Sequence, residues 1–240
     1  MLDKIVVTYI YHSCYTVEIG DYFLIFDYFK GKLDIPDDKK VIFIASHGHH
    51  DHYTSEILKL PNMESYTYIL SSGIDQLKSL YNSPNVYFVK QDQYKDIHFD
   101  DGTSISLKTF GSTDLGISIL LYVEGISIFH SGDLNFWAWP DNDETTLEDE
   151  YNQMMVEIEK IKKNDIDISF FPVDYRLGEN YYKGGEIFAN EVKPQIMFPL
   201  HSGGHEDITL KFAKEIKTPG TTFRPILGAN QKIIVDINPQ

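Results

Sequence analysis

The feature that most constrains this chain is a short run of histidines placed directly after a hydrophobic segment. Residues 46–52 read Ser-His-Gly-His-His-Asp-His, so four of the nine histidines fall within six positions. The preceding run 41–45, Val-Ile-Phe-Ile-Ala, is apolar and rich in β-branched residues, which predicts a buried strand. Thr54 and Ser55 can cap a following helix. The histidines are therefore predicted to lie on a strand-to-helix loop, where rigid scaffolds usually carry chemistry.

The spacing of these side chains indicates a metal site. In extended backbone His47 and His49 point to the same side, because side-chain direction repeats every second residue. Asp51 and His52, beyond the bend, can approach the same point from another side. Neutral imidazoles with a carboxylate are ligands that a divalent transition metal such as zinc accepts. The alternative is a solvated polar loop, which does not account for such dense clustering of histidine.

Composition limits the classes of partner. The chain has 21 basic and 36 acidic residues and a net charge of −15, which opposes binding to nucleic acid. A small phosphorylated substrate is still compatible, because a bound metal reverses the local charge. The single cysteine, Cys14, excludes an internal disulfide and suits a reducing compartment. No signal-peptide pattern and no apolar run of roughly 18 residues is present, so we expect a cytoplasmic protein without a membrane span.

Short strands dominate the first half of the chain, and strands alternate with helices in the second. Strands are predicted at 4–10, 14–19, 22–27, 41–45, 66–70, 86–89, 103–110, 117–123, 127–130, 166–173, 196–200 and 232–237. Helices are predicted at 54–60, 74–81, 144–163, 186–192 and 206–216. Without a long linker or repeat, one domain over residues 1–240 is expected. The pattern favours an α/β (α+β) fold with two sheets packed face to face, although periodicity alone does not select among α/β folds.

Two later strands also end in residues that metals bind. The run 127–133 is an apolar strand followed by Gly132 and Asp133, and the run 196–201 is a buried strand that ends in His201. A lone histidine at a strand end is more often structural. Three such strand ends in one chain, one of them carrying the histidine run, indicate that these residues share a function.

The motif His47-x-His49-x-Asp51-His52, followed by Asp133 and His201, resembles the metallo-β-lactamase superfamily of metal-dependent hydrolases. The resemblance covers essentially the whole chain. It includes His12-Ser13-Cys14, Asp27 and the Gly-Ser-Thr-Asp run 111–114, which are similar to the branch of ascorbate-phosphate lactonases and phospholipid phosphodiesterases. The resemblance implies a four-layer αββα sandwich with the site at the edges of the sheets.

The resemblance also implies two metal positions. One would take His47, His49 and a third histidine, and the other would take Asp51, His52 and His201, with Asp133 bridging both metals. By that resemblance the cofactor is one or two zinc ions, with manganese or iron as alternatives. The bound metal would activate water for attack on a carbonyl or phosphoryl centre. Asp51 would orient that water or, if it is not a ligand, act as its base and later protonate the leaving group.

The chain departs from the family pattern at one position. Ser112 follows Gly111 where the third histidine is expected, and a hydroxyl is a poor zinc ligand beside imidazole. Three arrangements stay open: a weak first position, a first position filled by Asp114 or water, or a single metal. In the last case the ligands would be Asp51, His52, Asp133 and His201.

The implied function is hydrolysis of a small phosphodiester, a phosphate-bearing lactone or a related ester. Ser112, Asp114, Asp174 and Arg176 are candidates for substrate binding, because arginine can contact a phosphate or carboxylate through two hydrogen bonds. A surface ion pair between Asp174 and Arg176 is an equal alternative. Ser112 motivates a second function, a metal-binding sensor or structural protein that has lost turnover. An iron oxidoreductase is disfavoured, since no flavin or second redox domain is evident. The sequence makes no prediction of oligomeric state.

Overall fold

The computed structural model describes residues 4–74, 80 and 83–237. The chain divides into two compact units, Met1–Lys90 with Gly228–Gln240 and Gln91–Leu227. In the part of the chain that is described, each unit holds one seven-stranded sheet. The prediction of a single domain over 1–240 stays a prediction. Nearly all of the helix predicted at 74–81 lies outside the described residues.

The sheet of the first unit combines antiparallel and parallel pairing. Its strands are β1 (Ile5–Tyr11), β2 (Cys14–Ile19), β3 (Tyr22–Phe26), β4 (Lys40–Ala45), β5 (Thr67–Ser71), β6 (Val86–Val89) and the last strand of the chain, β14 (Gln231–Val235). They lie in the order β14-β1-β2-β3-β4-β5-β6. Pairing is antiparallel from β14 to β3 and parallel from β3 to β6. Two short 3₁₀ helices, Ser55–Lys59 and Met63–Ser65, follow β4.

The sheet of the second unit has the same mixed character. Its strands are β7 (Tyr94–His98), β8 (Ser104–Phe110), β9 (Ser118–Val123), β10 (Ile126–His130), β11 (Ile168–Pro172), β12 (Ile196–Leu200) and β13 (Thr222–Phe223). They lie in the order β13-β12-β11-β10-β9-β8-β7, parallel from β13 to β10 and antiparallel from β10 to β7. The helices are α1 (Glu144–Ile161), a 3₁₀ segment (Tyr175–Asn180), α2 (Lys183–Glu191) and α3 (Asp207–Glu215).

This arrangement confirms the predicted α/β class with two sheets. The predicted strands match observed ones to within a few residues at each end, and the predicted helix at 54–60 is a 3₁₀ helix. Strands β7 and β13 were not predicted. In β7 only Ile97 is buried, and β13 has only two residues, so neither leaves a hydrophobic run in the sequence.

Helix α1 packs one apolar face against the second unit's core. Met154, Ile158 and Ile161 are fully buried, but Tyr151 is 40% exposed. Glu157 is buried instead. A carboxylate is tolerated there because it accepts hydrogen bonds from the Lys160 ammonium and a backbone N–H. Among the helices that the structure describes, none is long and apolar enough to cross a membrane.

Parallel pairing places polar residues at one edge of each sheet. Strands β3 and β4 run side by side, so Asp27 and Ser46 follow neighbouring carboxyl ends in the first unit. Strands β10, β11 and β12 run side by side in the second unit, and Asp133, Asp174 and His201 follow their carboxyl ends. In open α/β sheets this edge is where ligands bind.

Candidate metal centre

In the first unit, one buried carboxylate organises the start of the histidine run. The side chain of Asp27 is 1% exposed. Its Oδ1 accepts a hydrogen bond from the backbone N–H of Ser46 at 2.7 Å. Its Oδ2 lies 2.7 Å from both the Ser46 hydroxyl and Nδ1 of His52. Asp27 has φ 46°, in the left-handed region that strains a non-glycine residue, and these contacts hold it there.

The same hydrogen bonds decide which nitrogen of two histidine rings carries the proton. His52 must donate from Nδ1, because the carboxylate of Asp27 only accepts. The Ser46 hydroxyl gives its single proton to Asp27, so it accepts from Nδ1 of His47 at 2.9 Å. Both rings therefore carry their lone pair on Nε2. Metal-binding histidines are usually held in this way, with the second nitrogen donating to a carboxylate or another acceptor.

Three imidazoles of the run lie close together. The ring centroid of His47 is 4.6 Å from that of His49 and 4.2 Å from that of His52. A ring nitrogen of His47 and one of His49 lie within 4.8 Å of each other. His47 and His52 are buried, whereas His49 is exposed. Imidazoles at this separation can bind one transition-metal ion.

Asp51 lies on the same loop with its carboxylate partly buried. Nε2 of His12 lies 3.4 Å from Oδ2, and the Asp51 side chain is 23% exposed. Burial raises the pKa of the Asp51 carboxyl, but hydrogen bonding, chiefly with His12, outweighs burial and lowers it. Asp51 is therefore ionised near neutral pH, the form that can bind a metal or accept a proton.

In the second unit, Asp133 and His201 lie side by side. Nε2 of His201 is 3.1 Å from Oδ1 of Asp133, and both side chains are buried. His201 has φ 63°, so its backbone is held in the left-handed region, as that of Asp27 is. An imidazole nitrogen and a carboxylate oxygen at this separation can bind the same cation.

Asp174 supports the other side of the His201 ring. Its Oδ2 lies 3.3 Å from Nδ1 of His201, and its side chain is fully buried. The guanidinium of Arg176 donates to both oxygens of the same carboxylate. Burial raises the pKa of the Asp174 carboxyl, but His201 and Arg176 outweigh burial and lower it. Asp174 therefore supports His201 as Asp27 supports His52.

An aromatic stack flanks His201. Trp137 packs on the His201 ring at a centroid distance of 5.7 Å and on Trp139 at 5.9 Å. Its Nε1 donates to the backbone oxygen of Asp133 at 3.1 Å. Trp139 is 36% exposed, and the guanidinium carbon of Arg176 lies 5.9 Å from its ring centroid. The stack therefore runs from the buried histidine to side chains that reach solvent.

Ser112 and Asp114 lie on the loop after β8. The backbone N–H of Asp114 donates to the Ser112 hydroxyl oxygen at 3.3 Å. The Thr113 hydroxyl donates to the backbone oxygen of Asn135 at 2.6 Å and accepts from its N–H at 2.9 Å. The loop is therefore tied to the turn that follows Asp133, and the Ser112 hydroxyl takes part in a local turn.

The residues present fit a divalent transition metal. Each unit pairs buried imidazoles with carboxylates, and His47, His52 and His201 have an acceptor beside Nδ1, which orients Nε2 as the ligand. Cys14 does not belong to this donor set. Burial and the nearby Asp27 carboxylate raise the pKa of its thiol well above the usual value, and metals bind the thiolate.

The roles of the two supporting carboxylates were not predicted. The sequence indicated Asp27 only as part of the family motif, and Asp174 as a substrate contact or as the partner of Arg176 in an ion pair. That ion pair is present, with the carboxylate buried. Both aspartates directly follow an apolar run, Phe23–Phe26 and Phe170–Val173 in the sequence, and this is the signal that pointed to Asp133. An acidic residue after each buried strand was the observation that could have identified them.

Comparison with known proteins gives concordant matches. A family model described as a beta-lactamase superfamily domain matches residues 6–145. The UPF0173 metal-dependent hydrolase YtkL of Bacillus subtilis is 29% identical over 212 residues, which cover 81% of this chain and 84% of the relative.

Two solved structures show the same fold. Igni18, described as a metallo hydrolase from Ignicoccus hospitalis, has a TM-score of 0.70 at 13% identity, covering 98% of this chain and 100% of that one. The metallo-β-lactamase fold protein YhfI from Bacillus subtilis has a TM-score of 0.60 at 14% identity, covering 97% and 100%. These matches confirm the predicted metallo-β-lactamase fold.

Proposed function

The chain belongs to the beta-lactamase superfamily domain family, within the metallo-β-lactamase superfamily of metal-dependent hydrolases, and we propose that it cleaves a small phosphodiester, a phosphate-bearing lactone or a related ester. The observation that carries this proposal is the pairing of buried carboxylates with histidines. Asp27 supports His52, and Asp174 supports His201. Burying a carboxylate costs free energy. Its contact with the histidine is useful when the opposite ring nitrogen binds a metal, because it orients that nitrogen.

The proposed ligand set follows the family pattern. Its members are His47, His49, Asp51, His52, Asp133 and His201. Nitrogen and carboxylate oxygen donors favour zinc, with manganese or iron as alternatives, and one or two ions per chain are compatible with this set. Ser112 stands where a third histidine would complete the first position, so we expect that position to bind metal more weakly than the second.

A bound metal would supply Lewis acidity, which polarises the scissile carbonyl or phosphoryl oxygen and makes water a better nucleophile. The protein supplies position and proton transfer. Asp51 is ionised and partly exposed, so it can orient the water or take its proton. Asp174 and Trp137 hold the His201 ring from two sides, which keeps its geometry during turnover.

Substrate recognition is proposed for the exposed side chains near His201. Arg176 and Trp139 both reach solvent. The Arg176 guanidinium suits a phosphate or carboxylate, with Ser112 and Asp114 as further candidate contacts. The net charge of −15 supports a small molecule over nucleic acid as the partner. Location in the cytoplasm stays a prediction.

A metal-binding protein without hydrolytic turnover is the second candidate function. The supporting observation is Ser112, whose hydroxyl accepts a hydrogen bond within its own loop and is a poor zinc ligand. A sensor or structural module would keep the metal and its supporting carboxylates without needing a complete first position.

The deciding experiment measures metal content per chain and hydrolysis together. Protein purified without added metal is analysed for zinc, manganese and iron, as it is and after reconstitution with each ion. The variant Ser112→His is compared with wild type, and Ser104→His, on an exposed residue of β8, is the control for adding a histidine elsewhere. Phosphodiesters and lactones are then screened with each metal form.

Two metals per wild-type chain with hydrolysis would support a dinuclear hydrolase. One metal with hydrolysis would point to a mononuclear hydrolase with Asp51, His52, Asp133 and His201 as ligands. Metal without hydrolysis in wild type, with activity gained by Ser112→His, would favour the protein that has lost turnover. Absence of metal after every reconstitution would contradict both candidate functions.

A further inference from the structure

We propose that His12 and Ser13, in the turn between β1 and β2, position the Asp51 carboxylate for its role in the metal-dependent site. This inference rests on the proposed function and extends it to two residues that are neither ligands nor substrate contacts. The turn belongs to the same unit as the histidine run, so the argument uses contacts within one compact unit.

The turn holds Asp51 at two points. Nε2 of His12 lies 3.4 Å from Oδ2 of Asp51, within the range of an ion pair or a long hydrogen bond. The Ser13 hydroxyl donates to the backbone oxygen of Asp51. One contact restrains the side chain and the other restrains the main chain, so the carboxylate has a defined position before any metal or substrate binds.

The backbone of the turn is strained at His12. Its φ is 53°, in the left-handed region that glycine occupies at lower cost. The strain is held by buried neighbours, since the backbone N–H of His12 donates to the Tyr9 hydroxyl at 2.8 Å, and the fully buried Tyr9 ring packs against Tyr15. These buried contacts hold the turn in one conformation, which places the His12 ring beside Asp51.

The two carboxylate oxygens of Asp51 have different neighbours. Oδ2 faces the buried imidazole of His12. Oδ1 faces His50, whose ring is 4.0 Å away and whose side chain is 96% exposed. A carboxylate held through Oδ2 would offer Oδ1 to a metal or to a bound water in one fixed orientation. His12 is thus a positioning residue that acts through Asp51.

The test compares variants that separate hydrogen bonding from packing. His12→Gln can place an N–H near the position of Nε2, His12→Asn is too short to do so, and His12→Leu fills the space without a donor. His50→Gln is the matched control, because it changes the exposed histidine beside the same carboxylate. Each protein is titrated with Co²⁺, and the visible absorption bands report ligand geometry and affinity. Hydrolysis of bis(4-nitrophenyl) phosphate is measured in parallel.

We expect His12→Leu and His12→Asn to lower Co²⁺ affinity or kcat by about 10- to 100-fold, the effect of losing a residue that orients a ligand. His12→Gln should retain values within about threefold of wild type, and His50→Gln within about twofold. If His12→Gln retains Co²⁺ affinity and kcat and His12→Asn does not, the result supports positioning of Asp51 by His12, even if His12→Leu folds poorly.

Two results would overturn the inference. One is a wild-type Co²⁺ spectrum and wild-type affinity in His12→Leu, and the other is an equal loss in His12→Gln and His12→Asn, which would mean that the ring only packs. Failure of the proposed function is seen separately, in the wild-type protein. If wild type binds no Co²⁺, the proposed function fails before any variant is compared, and the inference fails with it.

Discussion

The two units support their histidines with similar carboxylates that differ in access to solvent. In the first unit, Asp27 receives hydrogen bonds from Ser46 and His52, which belong to the loop it supports, and all three residues are buried. In the second unit, Asp174 is equally buried, but it binds the guanidinium of Arg176, whose side chain is 40% exposed. Asp27 is enclosed by the loop that it supports, whereas Asp174 is connected to solvent through Arg176.

This difference separates two tasks that a metal-dependent site combines. A carboxylate enclosed by the loop that it supports holds metal ligands rigidly, because each of its hydrogen bonds restrains a ligand or the residue next to one. A carboxylate that is paired with an exposed arginine connects a bound anion to the histidine, because the arginine contacts the anion and the carboxylate contacts the histidine. We therefore expect changes around Asp27 to affect stability and metal binding, and changes around Arg176 to affect the substrate.

The largest effect is expected for Asp27→Asn. The amide nitrogen of asparagine would face a donor of Ser46 or His52, so at least one buried hydrogen bond is lost. We expect the free energy of unfolding of the metal-free protein to fall by about 3 kcal/mol, as for the removal of one partner from a buried pair. Zinc affinity should fall about 100-fold. Urea unfolding and chelator competition measure the two quantities.

The control for this prediction is Asp38→Asn on an exposed loop of the same unit, which should leave both quantities unchanged. If Asp27→Asn unfolds at the wild-type urea concentration and binds zinc as tightly as wild type does, Asp27 is not the support that its contacts indicate.

Asp174→Asn comes next, because the His201 ring keeps a second support in Trp137. We expect about 2 kcal/mol of destabilisation and a 10- to 30-fold loss of kcat, from weaker orientation of His201. A double-mutant cycle with Arg176→Ala isolates the coupling between the carboxylate and the guanidinium. The cycle is measured on the free energy of unfolding, and additive losses in the double variant would contradict a direct coupling of Arg176 to the Asp174 carboxylate.

The parts of the fold that the sequence predicted are those that leave hydrophobic runs. The strand β4 before the histidine run is apolar from Val41 to Ala45, and the strand β12 before His201 is apolar throughout. Their burial and the loops that follow could therefore be predicted. The motif of histidines and aspartates then indicated a metal, because few other functions bring these residue types together. Strand β7 escaped prediction since four of its five residues are not buried.

The supporting contacts could not be predicted for a different reason. The sequence separates Asp27 from His52 by 25 positions and Asp174 from His201 by 27, and only the register of parallel strands brings each pair together. Glu157 is a similar case, because a carboxylate on a helix normally indicates an exposed face. Its burial depends on the Gly111 N–H, 46 positions away. Pairings of this kind follow from topology and not from local pattern.

A smaller effect is expected for Ser46→Ala, which keeps the backbone hydrogen bond to Asp27 and removes only the hydroxyl. Nδ1 of His47 then loses its acceptor, so the ring can take either tautomer and rotate. We expect about 1 kcal/mol of destabilisation and an approximately tenfold loss of zinc affinity. Ser71→Ala is the matched control, because this serine is also buried, at the end of the neighbouring strand β5. Equal losses in both variants would remove the special role of the Ser46 hydroxyl.

The smallest effect is expected for Arg176→Lys, and it tests the second half of the comparison. Lysine keeps the positive charge but cannot form the planar pair of hydrogen bonds to Asp174 or stack on Trp139 as a planar group. The side chain is partly exposed, so the cost to stability should stay below about 0.5 kcal/mol. We expect KM for bis(4-nitrophenyl) phosphate to rise about threefold with little change in kcat, since arginine binds anions through two parallel hydrogen bonds. A loss of kcat without a change in KM would place Arg176 with Asp27, as a residue that only supports the ligands, and the distinction between the two units would fail.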